Sequence, residues 1–385
     1  EYLLMNGCDH QPVQADLGKA IEVASELYPD INFKHSNFPD YIKAIKEKVP
    51  NDLAVVKGEL TSQDTDGWST LINCASSHIY LKQMNRKCES ALENGAEPVR
   101  VLSSVLGQNY PSDELEYSWK KLMQNHPHDS ICCCSVDEVQ DEMATRFNKS
   151  KQVADYLVSE GTRYIADKIN TKEYEKYKNA LPFVVFNTTG RKRTSVVSVE
   201  IDVTRKSGWL KKCAYDLDEI NVPNYKLIDS AGNSIPFKIE DLGVRFGYDL
   251  PKDKFRQPYM ARRVRVTFEA ENISAVGYKT YALVEGDAEK VTDTLVSGEN
   301  CMENDAIRVE INKNGSLNVT DKASGRTYKG VAYYEETGDL GNEYMYKMPE
   351  GSKAITTQDT VAKIELAEDE PYRAMYKITN TITVP

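Results

Sequence analysis

Apolar positions in the first half of the chain repeat with the period of a helix. From about Gly18 to Asn170 they recur every three or four residues, and alternating β-branched runs are few. The clearest segment begins at Ser135, where residues 135–138 have the S-x-x-E form of a capping box. Near one stripe of this segment fall Val136, Val139, Met143, Phe147, Tyr156 and Tyr164. The sequence therefore predicts a long amphipathic helix after Ser135, with this stripe in a core.

The period changes in the second half of the chain. Residues 172–178 show no clear stripe and are interpreted as a linker or as the frayed end of the preceding helix. Beyond them, alternating or short buried runs indicate β-strands at residues 183–186, 196–201, 262–268, 307–311 and 316–320. Turn-forming Asn, Asp and Gly residues separate these runs. The pattern predicts antiparallel sheets arranged as β-sandwiches.

The chain opens on an apolar, strand-like run, Glu1-Tyr2-Leu3-Leu4-Met5. Proteins rarely begin inside a buried strand, so we expect the sequence to start within a larger polypeptide. Its 385 residues leave room for two or three domains.

Composition and charge exclude several classes of protein. A net charge of −11 argues against nonspecific binding to nucleic acid, because phosphate contacts need clustered Lys and Arg. No stretch approaches the roughly 20 apolar residues that a membrane-spanning helix needs, so a membrane protein is excluded. Eight cysteines in a chain of this length, three of them consecutive, do not form a disulfide scaffold. We therefore expect a reducing compartment, the cytoplasm.

Two of the five histidines lie in one segment, Asn125-His126-Pro127-His128-Asp129-Ser130-Ile131. We expect this segment on a short loop between two helices, where Pro127 limits its flexibility and its side chains can be aimed at a ligand. Imidazole and carboxylate groups suit zinc, which accepts N and O ligands. Alternatively, one histidine caps a helix and the other is merely exposed. A zinc ion here would need further ligands from distant residues or from outside the chain.

A second candidate follows the opening strand, in Asn6-Gly7-Cys8-Asp9-His10-Gln11-Pro12. Catalytic groups of α/β barrels lie at the C-terminal ends of strands, and a carboxylate just past a strand and a glycine fits that position. Asp9 could then act as a general acid or base. In the alternative interpretation, Asp9 only accepts hydrogen bonds from nearby backbone N–H groups in an Asx-type turn.

Taken together, three segments resemble bacterial α-mannosidases of glycoside hydrolase family 38. They are residues 3–12 (LLMNGCDHQP), 80–89 (YLKQMNRKCE) and 125–132 (NHPHDSIC), and their order and separations also match. In the β half, residues 302–304 (MEN), 321–326 (DKASGR) and 338–344 (GDLGNEY) are similar to the same family. The most specific element is H-P-H-D-S-I-C.

The resemblance implies a multidomain fold, α and then β. It consists of a β/α barrel, a helical bundle and several antiparallel β-sandwich domains. On this basis residues 1–15 are the end of the catalytic barrel, as the remnant of a late barrel strand, and residues 16–178 are a region like a three-helix bundle. Residues 179–290 are a first β domain, and residues 291–385 are the start of a large β-sandwich domain.

The resemblance also implies roles for individual residues. His128 is a zinc ligand, and Asp129 contacts the sugar. Asp9 matches the carboxylate usually considered the general acid/base, and His10 beside it is a candidate for substrate binding. Tyr344 resembles a tyrosine that the sandwich domain lends to the substrate.

Four departures from the family pattern stand out. The family usually has Gly where Cys133 stands, so the backbone there is less free to take a positive φ. Arg is expected instead of His78, and Asp instead of Asn342. The family's H-x-D zinc pair and its Asp nucleophile lie upstream of Glu1.

The function implied by the resemblance is retaining hydrolysis of terminal α-mannosides with zinc. Retaining glycosidases use two carboxylates about 5–5.5 Å apart, and of these only the acid/base is expected here. This chain alone is therefore expected to be inactive. Three alternatives stay open: a hydrolase of phosphorylated mannosylglycerate from the same family, a carbohydrate-binding module without catalysis, and a purely structural role in which both halves brace the barrel. A homodimer is also considered.

Overall fold

The computed structural model divides the chain into two units, residues 1–62 and residues 63–385. It describes residues 2–7, 11–46, 48–50, 52–55, 74, 77–289, 292–341 and 348–384. None of the helices within these ranges is both long enough and apolar enough to cross a membrane.

In the described part of the first unit lie two helices, α1 (Leu17–Leu27) and α2 (Phe38–Lys46), and neither has a buried side chain. Residues 2–7 belong to no helix or strand, and Tyr2 and Leu4 are exposed. The predicted remnant of a barrel strand is therefore not confirmed.

Five helices make up the helical region of the second unit. They are α3 (Ile79–Ala91), α4 (Glu97–Val105), α5 (Ser112–Met123), α6 (His128–Cys132) and α7 (Asp137–Ala166). A π-helical turn at Leu92–Ala96 joins α3 directly to α4. Helices α3, α4 and α5 all pack against α7. Their shared core includes Leu81, Leu92, Leu115, Leu122, Met143, Phe147 and Leu157.

The predicted stripe on α7 is correct only in its first turns. Met143 and Phe147 are buried, whereas Val136 and Tyr156 are exposed. The buried positions of α7 are Gln140, Met143, Phe147, Ser150, Ala154, Leu157, Gly161 and Ile165. Along the C-terminal half of the buried face, the small residues Ala154 and Gly161 alternate with the large residues Leu157 and Ile165.

After α7 the chain enters a β-sandwich. Its strands are β1 (Leu181–Asn187), β2 (Arg193–Lys206), β3 (Tyr225–Asp229), β4 (Ser234–Ile235), β5 (Phe237–Asp249), β6 (Gln257–Ile273) and β7 (Gly277–Glu285). They form two antiparallel sheets, in the orders β1-β7-β3-β4 and β2-β6-β5. One core cluster joins the inner faces, with Leu227, Val264, Val266, Phe268, Tyr281 and Leu283.

Two connections fasten the helical region to this sandwich. The Thr188 hydroxyl donates to the Asn94 carbonyl in the π-helical turn, at 2.7 Å. Tyr174, in the segment predicted to be a linker, is 2% exposed and its hydroxyl donates to Thr280 at 3.2 Å. The segment is thus anchored by a buried aromatic ring and begins with a short 3-10 turn at Lys172–Tyr174.

The end of β1 is a tightly bonded corner. Asn187 is 5% exposed, and its Nδ2 lies 2.8, 3.1 and 2.9 Å from the carbonyl oxygens of Arg191, Ile273 and Ser274. Its Oδ1 accepts from the backbone and the hydroxyl of Thr189. Every polar atom of this side chain is therefore used.

A helix that the sequence pattern did not reveal, α8 (Leu210–Asp218), connects β2 to β3. It buries Cys213 and Leu217 and contacts strand β6.

The remaining strands form a five-stranded sheet and two hairpins. The sheet has the order β12-β11-β10-β9-β8 and contains β8 (Val296–Gly298), β9 (Cys301–Glu303), β10 (Ile307–Ile311), β11 (Leu317–Asp321) and β12 (Thr327–Val331). The hairpins pair β13 (Glu335–Glu336) with β14 (Ile355–Thr356), and β15 (Lys363–Glu370) with β16 (Arg373–Thr379). The prediction of helices followed by antiparallel sheets is confirmed, while the predicted domain limits stay predictions.

The hairpin β15–β16 is tied to the sandwich through two side chains. The Tyr372 hydroxyl donates to the Thr267 carbonyl at 2.7 Å. Glu368, whose side chain is 7% exposed, accepts from Arg373 at 2.8 Å and from Lys238 of β5 at 3.4 Å. The Arg373 hydrogen bond lowers the pKa of Glu368 although burial opposes the shift.

Candidate active site

His128 and Asp129 are the first two residues of α6, a helix of a single turn. The prediction of a short loop between two helices is therefore wrong in detail, because His128 begins a helical turn. Pro127 precedes it with φ −48° and ψ 139°, the extended conformation that proline's ring allows. The His128 and Asp129 side chains are 75% and 67% exposed.

The segment before α6 is fastened to two long helices. The Asn125 side chain is fully buried and donates to the Met143 carbonyl of α7 at 3.0 Å. His126 Nε2 lies 2.8 Å from Asn85 Oδ1 on α3. His126 thus connects this segment to α3, whereas the His128 side chain is exposed at the surface.

The segment after α6 is also fixed by hydrogen bonds, although not by the predicted capping box. The N-terminal cap of α7 is Val136, and no side chain caps this helix. The Ser135 hydroxyl instead donates to the Asp129 carbonyl at 3.0 Å. The serine therefore secures the turn that carries Asp129 rather than the start of α7.

Cys133 takes the left-handed conformation at the end of α6, with φ 65° and ψ 31°. We expect Gly at this position from the family resemblance, whereas this chain has a residue with a Cβ at a positive φ. In this left-handed conformation a residue with a Cβ has a higher conformational free energy than glycine. Lys82 Nζ donates to Cys133 Sγ at 3.1 Å, which ties this turn to α3.

Residues next to α6 give the site a polar and thiol-rich edge. His128 Nε2 lies 3.4 Å from Asp129 Oδ1, and Cys134 Sγ lies 3.5 Å from the same oxygen. Cys74 is close to Cys132, and burial, followed by its cysteine neighbours, raises the pKa of the Cys74 thiol. The described side chains here present an imidazole and a carboxylate together on an open surface.

The donor chemistry fits zinc in part. An exposed imidazole beside a carboxylate matches the N and O ligands that zinc accepts. Among the described residues, however, no three His, Cys, Asp or Glu side chains lie close enough to hold a metal ion together. Zinc binding at His128 would therefore need ligands beyond those that the described residues bring together.

Asp9, His10 and Tyr344, the other predicted site residues, lie outside the residues that the structure describes. Their predicted roles are not tested, and the same holds for Asn342.

Sequence reasoning missed the residues that hold the site in place, Asn125 and Gln140. Gln140 is 4% exposed and donates to the carbonyl oxygens of Cys133 and Ser135. A signal was present, because Gln140 lies three residues before Met143 on the buried face of α7. A polar residue inside an apolar stripe indicates a directed hydrogen bond.

Two sequence profiles match this chain. Residues 69–165 match the alpha mannosidase middle domain, and residues 178–285 match the glycosyl hydrolases family 38 C-terminal domain 1. A protein of Halalkalibacterium halodurans, provisionally named mannosylglycerate hydrolase, is 43% identical over 400 residues, which cover 100% of this chain and 43% of that protein.

Solved structures agree with these matches. An alpha-mannosidase from Enterococcus faecalis superposes with a TM-score of 0.82 and 44% identity, over 97% of this chain and 43% of that one. A family 38 protein from Enterococcus faecalis gives 0.78 and 39%, over 97% and 42%. The chain spans less than half the length of these relatives.

His128 and Asp129 lie within the residues that match the middle domain, and the sandwich of β1–β7 coincides with the match to the C-terminal domain. This chain belongs to family 38 of the glycosyl hydrolases, of which it carries the middle domain and the first C-terminal domain.

Proposed function

We propose that this chain is part of a retaining, zinc-dependent α-mannosidase that hydrolyses terminal α-mannosides. The observation that carries the proposal is the exposed pair His128–Asp129, held by hydrogen bonds on both sides of α6 inside the matched middle domain. These hydrogen bonds order the backbone that carries two largely exposed polar side chains, and ordering a surface turn costs conformational entropy.

Each residue has a distinct part in the proposed reaction. His128 contributes an imidazole to the zinc site, and Asp129 accepts hydrogen bonds from mannose hydroxyls. Asp9 donates a proton to the leaving oxygen and afterwards removes one from the attacking water. Zinc, when bound, supplies a template for the sugar hydroxyls and stabilises the charge of the transition state.

The main test replaces the proposed ligand in an enzyme that joins this chain to a complete catalytic barrel. His128→Ala should lower kcat/KM for an aryl α-mannoside by about a hundredfold or more and should weaken zinc binding, as measured by chelator competition. His35→Ala, at an exposed histidine of the first unit, is the matched control and should change neither. Undiminished hydrolysis by His128→Ala would refute the assignment.

The 385-residue chain by itself is proposed to be inactive, because the resemblance assigns the nucleophile and the H-x-D pair to residues before Glu1. Purified chain should give no release of nitrophenol from an aryl α-mannoside above a protein-free blank. Measurable turnover that disappears in Asp9→Asn would contradict this part of the proposal.

A second candidate substrate is mannosylglycerate or its 6-phosphorylated form. The observation that favours it is the provisional name of the Halalkalibacterium halodurans relative. The comparison of kcat/KM for mannosylglycerate, 6-phosphomannosylglycerate and an aryl α-mannoside distinguishes the candidates. A preference of more than about tenfold for the phosphorylated compound corresponds to roughly 1.4 kcal/mol and indicates a basic subsite for its phosphate.

A cytoplasmic location is proposed for the enzyme. Five free thiols, those of Cys88, Cys132, Cys133, Cys213 and Cys301, are compatible with a reducing compartment. A homodimer is also proposed, and sedimentation of the complete enzyme would test it.

A further inference from the structure

Gln140 is buried at the start of α7, beside the turn that leads from α6. Its side chain is 4% exposed, and its amide nitrogen Nε2 donates to the Cys133 carbonyl at 3.1 Å and to the Ser135 carbonyl at 2.9 Å. Both N–H bonds of the amide are therefore used by the same short stretch of backbone.

Those two carbonyl groups belong to residues that also hold α6 itself. The Cys133 amide donates to the Ser130 carbonyl at 2.9 Å, and the Ser135 hydroxyl donates to the Asp129 carbonyl at 3.0 Å. A continuous set of hydrogen bonds thus runs from Gln140 through the turn to the backbone of Asp129.

The turn needs this support because Cys133 has φ 65°. Because Cys133 has a Cβ, its conformational free energy at this φ is higher than that of glycine. Without the Gln140 hydrogen bonds, the turn would therefore favour other backbone conformations. Movement of Cys133 would displace the end of α6 and with it the directions in which His128 and Asp129 point.

We propose that Gln140 is a positioning residue for the site, and that its carboxamide keeps α6 in the orientation that presents His128 to zinc and Asp129 to the sugar. The inference rests on the proposed function for its catalytic consequence, whereas the mechanical part concerns this chain alone. Residues that orient metal ligands from behind typically change metal affinity or activity by about 10–100-fold when they are replaced.

Hydrogen–deuterium exchange on this chain tests the mechanical part. Gln140→Met keeps a similar volume but removes both donors, and it should speed exchange of the Ser130, Ile131 and Cys133 amides by about tenfold or more. Gln152→Met, at an exposed position of the same helix, is the control and should leave these amides unchanged. Unchanged exchange in Gln140→Met overturns the inference.

A second variant separates the turn from a general loss of packing. In Gln140→Met/Cys133→Gly, glycine takes the positive φ without the penalty, so exchange of the same amides should return to within about threefold of the original chain. If the double variant exchanges as fast as Gln140→Met, the positive φ of Cys133 is not what the Gln140 hydrogen bonds offset, and the inference is wrong.

The catalytic part is measured in the enzyme that joins this chain to a complete barrel. Gln140→Met should weaken zinc affinity and lower kcat, each by about tenfold or more, while at saturating zinc KM changes less than kcat. If His128→Ala has no effect on zinc or rate, the proposed function fails. If His128→Ala abolishes both but Gln140→Met stays within about twofold of the original enzyme, only the positioning role is overturned.

Discussion

The core beside α6 and the cluster between the two sheets of the sandwich use buried groups in different ways. Between the two sheets of the sandwich, the core cluster consists of aliphatic and aromatic side chains such as Phe268 and Tyr281. Beneath α6, the helical core contains Asn125 and Gln140, which both donate to backbone carbonyl groups.

This difference separates stability from positioning. Apolar packing is not directional, so it stabilises a region without specifying the path of one short turn. The N–H groups of a buried amide are costly unless they are bonded, so they favour the backbone path whose carbonyl groups accept from them. Among the described residues Asn125 Oδ1 is buried without a hydrogen-bond partner, so for Asn125 this argument concerns its donor group alone. The candidate site lies where the core is polar.

The largest expected effect concerns the sandwich core. Phe268 is fully buried, and its ring centroid lies 4.9 Å from that of Tyr281 and 5.9 Å from that of Phe183. Phe268→Ala should lower the free energy of unfolding by about 3–5 kcal/mol in a denaturant titration. Phe246→Ala, at a half-exposed ring of β5, should cost much less. Equal losses in the two variants would show that the inner faces do not form the main core.

Asn125 is expected to have the next largest effect. Asn125→Ala removes the side-chain hydrogen bond to the Met143 carbonyl and leaves a buried space, and it should cost about 1–3 kcal/mol. Unlike the Phe268 variant, it should also accelerate hydrogen exchange in the segment before α6. Asn148→Ala, at an exposed position of α7, is the matched control. If Asn125→Ala lowered the free energy of unfolding without accelerating hydrogen exchange before α6, Asn125 would act like the apolar core residues of the sandwich, and the comparison would fail.

A smaller, pH-dependent effect is expected where the hairpin β15–β16 meets the sandwich. Because the pKa of Glu368 is lowered in the folded chain, its ion pairs stabilise the fold fully above the unfolded pKa of about 4.3, and this contribution is lost as the pH falls through the lower folded value. Glu368→Gln should cost about 1 kcal/mol at pH 7. Thermal unfolding should show that this difference shrinks below about pH 4; a difference that persists at pH 2 would mean that the charge is not its source.

The smallest expected effect is at the surface of α7. Lys151 Nζ lies 2.5 Å from Asp155 Oδ2, with the two side chains 40% and 54% exposed. Lys151→Ala should change the free energy of unfolding by less than about 0.5 kcal/mol, with any loss reduced further in 0.5 M salt. A change above about 1 kcal/mol would show that exposed ion pairs also stabilise the helical region, and the comparison of the two cores would then be incomplete.

The sequence predicted the kinds of element well where large apolar residues keep a regular period. Met143 and Phe147 were placed in the core correctly, and residues 307–311 were predicted as the strand that β10 forms. Further along α7, Tyr156 was predicted to be buried and is exposed, because the adjacent Leu157 lies on the buried face instead. A Cβ added to Gly161 would lie 2.6 Å from Val99 Cγ1, so the helices approach closely at this one position, which hydrophobic periodicity cannot detect.

Less of the candidate site could be predicted. His128 and Asp129 were singled out because histidines are few, and the structure shows both side chains exposed, while their roles stay predictions. The hydrogen bonds that hold them depend on the spatial proximity of α5, α6 and α7. Ser135 illustrates the limit: its S-x-x-E pattern indicated a helix cap, but the nearby Asp129 carbonyl takes its hydroxyl instead.

The corner at Asn187 has a practical consequence for the choice of expression host. Residues 187–189 match the acceptor triplet for N-linked glycans, yet in the folded chain the Asn187 amide is enclosed and bonded to three carbonyl groups. A glycan added during synthesis in a eukaryotic secretory pathway would prevent this corner from closing and expose the chain to quality-control degradation. Production in yeast or insect cells should therefore avoid a secretion leader, whereas bacterial production needs no such precaution.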